Sequence, residues 1–141
     1  MSTHVEPSGE LSGQIIGAAI EVHRVLGPGL LESAYQTCLA EEFLHVGIPF
    51  EREVPLPITY RGKVLDCGYR MDFVVGGLIV VELKAIKAWE PIHEAQLLTH
   101  MRLATHPLGL LINFNVPMLR NGIIRRVLSD SSSSAFSASL R

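Results

Sequence analysis

Apolar side chains recur every three or four residues along two stretches near the N-terminus. The first stretch covers residues 10–26 and the second covers about 30–46, a spacing that places the apolar positions on one face of a helix. Gly-Pro-Gly at 27–29 separates the two stretches, and Gly47 is a natural stop for the second. The pattern therefore predicts two consecutive helices.

The period changes from helical to alternating after these helices. Residues 49–60 alternate apolar and polar side chains, and Arg-Gly at 61–62 turns the chain into a second such run at 63–75. Pro55 and Pro57 lack the amide donor that a central strand needs, so we expect the first run to lie at the edge of a sheet.

The remaining pattern predicts further elements up to residue 128. In order, these are a turn at 76–77, a strand buried on both faces at 78–85, a helix at 90–104, a buried strand at 108–114 and a short last strand at 122–128. The predicted fold is α/β, with a mixed β-sheet flanked by helices in the order α-α-β-β-β-α-β. A helix between two buried strands indicates a right-handed crossover that joins parallel strands.

Composition agrees with one soluble globular domain. The chain has 141 residues, of which 48% are hydrophobic and 18% charged. We expect the domain to cover residues 10–128, after a flexible leader at 1–9 and before a disordered serine-rich tail at 129–141. No stretch approaches the ~18 apolar residues of a membrane span, so we predict a cytoplasmic protein without a membrane contact.

Charge and cysteine content narrow the function only slightly. The formal net charge of -2 gives no sign of a protein that coats nucleic acid, although an acidic active site is compatible with it. Cys38 and Cys67 are too few and too far apart for a disulfide framework or a zinc site. We expect two buried, reduced thiols.

Three charged residues interrupt the most strand-like segment, GYRMDFVVGGLIVVELKA. Glu82 and Lys84 are two residues apart, so they point to the same face of a strand. With a two-residue turn at 76–77, Asp72 would point to the opposite face from Glu82. An odd-numbered loop, such as 75–77, or a bulge would bring the two carboxylates together.

Two converging carboxylates would form an oxygen-rich site for a hard cation. Mg²⁺ is usually held by one or two carboxylates, while waters and substrate phosphate complete its octahedron. Lys84 beside Asp72 and Glu82 could steady a water nucleophile or neutralise charge on a phosphate under attack. The alternative is a structural ion pair, in which Glu82 and Lys84 simply reach solvent. For these two residues taken alone that alternative is favoured, so the accompanying motifs decide.

Further motifs accompany the charged segment in a fixed order. GPGLLESAY carries Gly29, Glu32 and Tyr35 in the pattern G-x-x-E-x-x-Y, and YRMDFVV, VVELKA and HEAQLLTHMRLA follow. This series resembles the GxxExxY protein family of the PD-(D/E)XK nuclease superfamily over about residues 14–127. The resemblance implies a core of a helix, three antiparallel strands, a second helix and a further strand. It also implies metal-dependent hydrolysis of nucleic-acid phosphodiesters.

The resemblance implies roles for individual residues as well. The implied ligands of Mg²⁺ or Mn²⁺ are Asp72, Glu82, Glu32 and the backbone carbonyl of Leu83. Lys84 would be the catalytic lysine, and Gln96 matches a glutamine that some exonuclease-like branches place at the active site. His100 stands where related branches often carry an aromatic residue, and Met71 replaces the proline of the superfamily's name.

Other polar residues are candidates for substrate contact. His93, Gln96 and His100 form a polar stripe along the predicted helix, which either faces the metal site or is simply solvated. Four cations could hold phosphates around the cleft or be ordinary surface charges: Lys63, Arg70, Lys87 and Arg102.

Four residues also have ordinary structural explanations. Glu32 suits the first turn of a helix because of the helix dipole. Tyr35 is more often a core residue with its hydroxyl bonded, and we expect His23 to be a hydrogen-bonded packing residue. Trp89 could stack on an unpaired base, but it is more often a packing anchor.

The sequence thus predicts an Mg²⁺- or Mn²⁺-dependent nuclease acting on DNA or RNA. One alternative is a non-catalytic module that binds nucleic acid or protein and has kept the nuclease fold. The other is a hydrolase of a different phosphate ester. The intact charged set at Asp72, Glu82 and Lys84 favours an enzyme over a binding module. Because a chain this small has little surface for recognition, we expect a homodimer or a protein partner to supply more.

Overall fold

The computed structural model describes residues 7–128, and their helices and strands follow the predicted order. The helices are α1 (Pro7–Leu26), α2 (Glu32–Val46) and α3 (Pro91–Ala104), with a short 3-10 helix at Leu119–Gly122. The strands are β1 (Phe50–Pro55), β2 (Ile58–Tyr60), β3 (Lys63–Leu65), β4 (Arg70–Val75), β5 (Ile79–Lys84), β6 (Leu108–Asn113) and β7 (Ile123–Val127). Helix α1 begins three residues before its predicted start. The rest of the predicted leader and the predicted tail lie outside the described residues.

Five strands form one mixed sheet in the order β1-β4-β5-β6-β7. β5 and β6 are parallel and are joined through α3, while the other neighbours in the sheet are antiparallel. The predicted α/β fold, the parallel pair joined through a helix and the edge position of β1 are therefore confirmed.

The two long alternating runs of the sequence are each divided into two strands. Pro55 and Pro57 interrupt the first run because they donate no ladder hydrogen bond. The second run bends at Gly68, which has φ 80° and whose N–H donates to Asp66 Oδ1 at 2.9 Å. As a result β2 and β3 leave the main sheet and pair with each other as a separate hairpin, called the hairpin arm below (residues 58–65).

The main sheet has a core on each face. On one face α1 and α2 pack against side chains such as Phe73, Val81 and Leu110. On the other face α3 packs through Leu97 and Met101. A β-carbon added at Gly109 of β6 would lie 2.5 Å from Met101 Sδ, so this glycine sets how closely α3 approaches the sheet.

Two smaller expectations have definite outcomes. His23 is buried and its Nε2 lies 2.8 Å from the Val116 carbonyl oxygen, as expected for a packing residue. The prediction of two buried thiols is wrong, since Cys38 is half-buried and Cys67 is exposed, in the bend before β4 where few residues surround it. Within residues 7–128, no helix is both long and apolar enough to cross a membrane.

Candidate active site

The loop between β4 and β5 brings Asp72 level with Glu82. Val75 pairs with Ile79 and Phe73 pairs with Val81, which leaves a three-residue loop at 76–78. The predicted odd-numbered loop is confirmed, shifted by one residue from the example 75–77. The same register places Asp72 opposite Glu82.

Regular pairing between β4 and β5 covers Phe73 to Val75 of β4 and does not extend to Asp72. Phe73 packs on the α1–α2 face and Val74 on the α3 face, but Met71 also packs on the α3 face. This break in alternation leaves the Asp72 carboxylate between the two strands, where its Oδ2 accepts the Leu83 N–H at 2.8 Å. Since the N–H and C=O of a strand residue point to the same neighbour, the Leu83 carbonyl also points toward β4. Beyond the pair of Phe73 and Val81, β4 and β5 are no longer paired, so the sheet is open at this end. We call this place the opening.

A glutamine from α2 holds the other oxygen of Asp72. Gln36 Nε2 donates to Asp72 Oδ1 at 2.7 Å, and Gln36 Oε1 accepts from Arg52 Nε at 2.8 Å. Arg52 is held in turn by a 3.0 Å bond to Thr37 Oγ1. Because Arg52 occupies the amide oxygen, the amide nitrogen of Gln36 is the group that faces Asp72. We call Arg52, Gln36 and Asp72 the relay.

The G-x-x-E-x-x-Y pattern fixes the start of α2. Gly29 has φ 103°, a conformation that favours glycine. The buried Tyr35 donates its hydroxyl to the Gly27 carbonyl at 2.6 Å and accepts the Leu30 N–H at 3.1 Å. Tyr35 is therefore the core residue expected, and it clamps the loop that precedes Glu32. Glu32 is the first residue of α2 and lies one turn before Gln36.

The carboxylates around this opening influence one another. Burial raises the pKa of Asp72, while the bonds from Leu83 and Gln36 act in the opposite direction and Glu82 and Glu53 add to the rise. Although much of the Glu32 residue is exposed, protein around its carboxyl group raises its pKa by desolvation, and Asp72 raises it further. Lys84 acts against that rise. The acids are thus close enough to repel, and a cation among them would relieve the repulsion.

Glu82 is buried and bound by a histidine of α3. Its exposed fraction is 6%, and its Oε2 forms a short contact with His100 Nδ1. Among the described residues Lys84 is in no ion pair with an acid, although it follows Glu82 on the same face. The alternative in which Glu82 and Lys84 form a solvent-exposed structural pair therefore does not describe this site.

The donor set suits a hard divalent cation, because it offers carboxylate oxygens and a backbone carbonyl at an open sheet end. Within residues 7–128, however, no three His, Cys, Asp or Glu side chains already surround one point as metal ligands. One oxygen of Glu82 is shared with His100, and both oxygens of Asp72 already accept a bond. A cation would therefore use remaining lone pairs of these carboxylates.

A cavity of about 420 Å³ extends from Lys84 along α3. Its polar lining comes from Lys84, Gln96, Thr99 and His100, together with the ring of Tyr69. The Tyr69 and His100 rings meet edge to face at 5.9 Å between centroids. The predicted residues Gln96 and His100 are therefore next to Lys84.

Other predicted substrate residues lie elsewhere. His93 Nδ1 accepts the Glu90 N–H at 2.9 Å, so this histidine caps α3, and its ring contacts Trp89. Trp89 packs against the core on the α3 side, as its ordinary explanation requires. Arg70 is exposed and 3.5 Å from Asp66 Oδ1, and Lys87 is exposed. None of these residues lines the cavity.

Sequence reasoning missed two residues at the opening and one at the cavity. Gln36 had a signal, because it is four residues after Glu32 and so lies on the same helix face. Glu53 lies opposite Asp72, since its neighbours in β1 pair with Phe73 and Met71. It also has φ 54°, which no pattern reveals. Tyr69 reaches the cavity from the irregular segment before β4, where periodicity gives no direction.

The sequence profile of the PD-(D/E)XK nuclease superfamily matches residues 9–127. Among solved structures, the chain is similar to an alkaline exonuclease from Laribacter hongkongensis, with 14% identity and a TM-score of 0.47. That alignment covers 99% of this chain and 82% of the other. No curated protein sequence matches significantly.

Proposed function

The chain belongs to the PD-(D/E)XK nuclease superfamily, and from this premise we propose that it hydrolyses phosphodiester bonds of nucleic acid with Mg²⁺ or Mn²⁺. The observation that carries the proposal is the bond from the Leu83 N–H to Asp72 Oδ2. It fixes one carboxylate at the open end of the sheet, next to Glu82 and Lys84.

Four groups would hold the cation: the carboxylates of Asp72, Glu82 and Glu32 and the backbone carbonyl of Leu83. The cation supplies Lewis acidity toward the phosphate and makes a water more acidic. The relay keeps Asp72 oriented, and His100 keeps Glu82 oriented. The mutual repulsion of Glu32 and Asp72 supports a site that is completed by positive charge.

The remaining residues act on water and substrate. Lys84 lines the cavity, where its side chain would position the attacking water and neutralise charge on the phosphate. Gln96 would orient the substrate or Lys84. His100 would contact the substrate from the same cavity, while Arg70, Lys87 and His93 are proposed for contacts farther out.

Narrower assignments belong to the same proposal. The clamp of Tyr35 on the loop before Glu32 gives the G-x-x-E-x-x-Y pattern a structural reason, which supports placing the chain in the GxxExxY family. We also propose that the protein is cytoplasmic and binds DNA or RNA. A homodimer or a protein partner would add recognition surface to this small domain.

The test is cleavage of single-stranded, duplex and branched DNA and RNA in Mg²⁺ or Mn²⁺. We expect cleavage that is lost with a chelator and falls by at least about a hundredfold in Lys84→Ala. Mn²⁺ titration calorimetry on Asp72→Asn and Glu82→Gln should show weakened binding, whereas Glu41→Gln, an exposed acid of α2, should bind normally.

The outcomes separate the candidate functions. Metal binding that needs Asp72 and Glu82, without cleavage of any nucleic acid, would point to a missing protein partner or to another phosphate ester. Nucleic-acid binding without metal binding would point to a non-catalytic module. Cleavage that persists in Lys84→Ala at the wild-type rate would contradict the assigned site.

A further inference from the structure

The cavity beside Lys84 differs chemically from the acidic opening. Most of its wall is apolar, and Leu56, Ile58, Ile92 and Leu103 contribute to it. Its volume of about 420 Å³ is within the range of small-molecule pockets, which is room for one nucleotide-sized group. Lys84 lines the cavity and is also close to the acids of the opening. A ligand in the cavity would therefore lie next to a phosphate bound at Asp72 and Glu82.

The polar groups in the cavity are available to a ligand. Within the described part of the chain, the side chains of Gln96 and Thr99 form no hydrogen bond. An amide and a hydroxyl can pair with the edge of a nucleobase, because both donate and accept. The exposed fraction of Tyr69 is 50%, and its ring offers a stacking surface at the cavity wall.

The hairpin arm extends this surface away from Lys84. Ile58 pairs with Leu65, and Tyr60 pairs with Lys63. Because alternate residues of a strand share a face, these four side chains lie on one face of the arm. Ile58 lines the cavity, so the same face continues outward to an aromatic ring and an ammonium group. Tyr60 is 63% exposed.

We propose that this surface, formed by the cavity and the adjoining face of the hairpin arm, binds an unpaired nucleic-acid strand. One base enters the cavity against Tyr69 and His100, and the next stacks on Tyr60 with its phosphate near Lys63. Aromatic rings interleaved with cations are the chemistry that holds single strands without sequence preference. The inference rests on the proposed nuclease function and adds a substrate class to it: single strands or frayed ends.

The test measures binding separately from cleavage. A 12-nucleotide DNA or RNA with a central 2-aminopurine is titrated in Ca²⁺, and its fluorescence is compared with that of the same oligonucleotide in a duplex. We expect at least tenfold tighter binding of the single strand, with quenching of the probe by stacking. Tyr60→Ala and Tyr69→Ala should each weaken binding about fivefold or more.

Val64 supplies the matched control. It is 71% exposed and pairs with Thr59 on the opposite face of the hairpin arm, so Val64→Ala should bind as the wild type does. Ala95→Glu places a carboxylate at the cavity wall from an exposed helix position and should also abolish probe quenching. Circular dichroism verifies that each variant is folded.

Two results would overturn the inference. One is equal affinity for duplex and single strand, and the other is a loss in Val64→Ala as large as in Tyr60→Ala. Either result is independent of the nuclease proposal. That proposal fails instead if no metal-dependent cleavage that requires Lys84 is found. Single-strand binding without any cleavage would support the surface and reject the activity.

Discussion

At the scale of single residues, the carboxylate of Asp72 depends on a neighbour that carries no charge. Gln36 donates to Asp72 Oδ1 and is itself oriented by Arg52. Outer groups of this kind fix the direction in which a ligand presents its lone pairs, and their loss typically weakens metal binding 10- to 100-fold.

We therefore expect Gln36→Leu to lower Mn²⁺ affinity about tenfold or more, measured by titration calorimetry. Leucine fills a similar volume but leaves the Asp72 oxygen without its donor. Gln14→Leu, at an exposed position of α1, is the control and should bind metal normally. Unchanged affinity in Gln36→Leu would show that the relay only packs α2 against the sheet.

Glu32 links metal binding to stability through its pKa. Desolvation and Asp72 raise that pKa, so the folded protein holds the Glu32 proton more tightly than the unfolded chain does. Below the ordinary pKa of about 4.3 Glu32 is protonated in both the folded and the unfolded protein, so its raised pKa causes no penalty in folding free energy. The penalty develops as the pH rises through the raised folded-state pKa.

Glu32→Gln should therefore stabilise the metal-free protein at pH 7.5, by at most about 0.5 kcal/mol because solvent still screens this partly exposed carboxylate. The gain should shrink toward pH 4, and metal affinity should fall. Urea unfolding at both pH values measures the gain, with Glu41→Gln as the reference. A gain that is larger at pH 4 than at pH 7.5 would have the wrong sign for this explanation.

The residue types in the sequence predicted only part of the site. Asp72, Glu82 and Lys84 stood out because charges are costly inside an apolar strand. The contact of His100 with Glu82 and the bond of Gln36 to Asp72 join elements that are distant in sequence. Such contacts depend on how helices dock, which a local pattern does not contain.

At the scale of elements, the position of α3 decides whether His100 and Gln96 reach the site. Gly109 is the second residue of β6, and an added β-carbon there would also approach Leu97 Cδ1 to 3.0 Å. Leu97 and Met101 are fully buried, so they have little room to retreat.

Gly109→Ala should lower the free energy of unfolding by about 1–3 kcal/mol, the usual cost of overpacking, and should reduce cleavage as α3 moves outward. Gly17→Ala is a control of opposite sign, because Gly17 is an exposed helical residue with open space around it and alanine favours a helix by about 0.5–1 kcal/mol. Urea unfolding measures both. Equal stability of Gly109→Ala and the wild type would show that α3 adjusts without cost.

The elements themselves were largely predictable, since periodicity marks both helices and buried strands. Helix α3 and the parallel pair of β5 and β6 were expected from such patterns and are present. The separation of the hairpin arm from the sheet was not expected. Its proline and glycine signals are visible in the sequence, but they indicate an interruption and not the direction in which the chain then turns.

At the scale of the whole molecule, a net charge of -2 has to be reconciled with a polyanionic substrate. Four of the 14 acids lie at the metal opening, namely Glu32, Glu53, Asp72 and Glu82, where a bound cation would offset part of their charge. Within residues 7–128, Lys84 lines the cavity, Lys63 lies on the adjoining face of the hairpin arm, and Arg70 follows Tyr69 in the chain. Binding should therefore depend weakly on salt compared with that of a basic DNA-coating protein.

With about three phosphates contacted, the slope of log affinity against log salt concentration for a single strand should be about -2. Lys63→Ala should reduce its magnitude by about 0.7, whereas Arg24→Ala, an exposed residue paired with Glu21 on α1, should leave it unchanged although both remove one positive charge. Fluorescence titrations from 50 to 300 mM salt in Ca²⁺ measure the slope. A slope steeper than about -5 would require more cations than one chain offers near this surface, and they would have to come from a second copy or a protein partner. An unchanged slope in Lys63→Ala would instead remove the hairpin arm from the path of the strand.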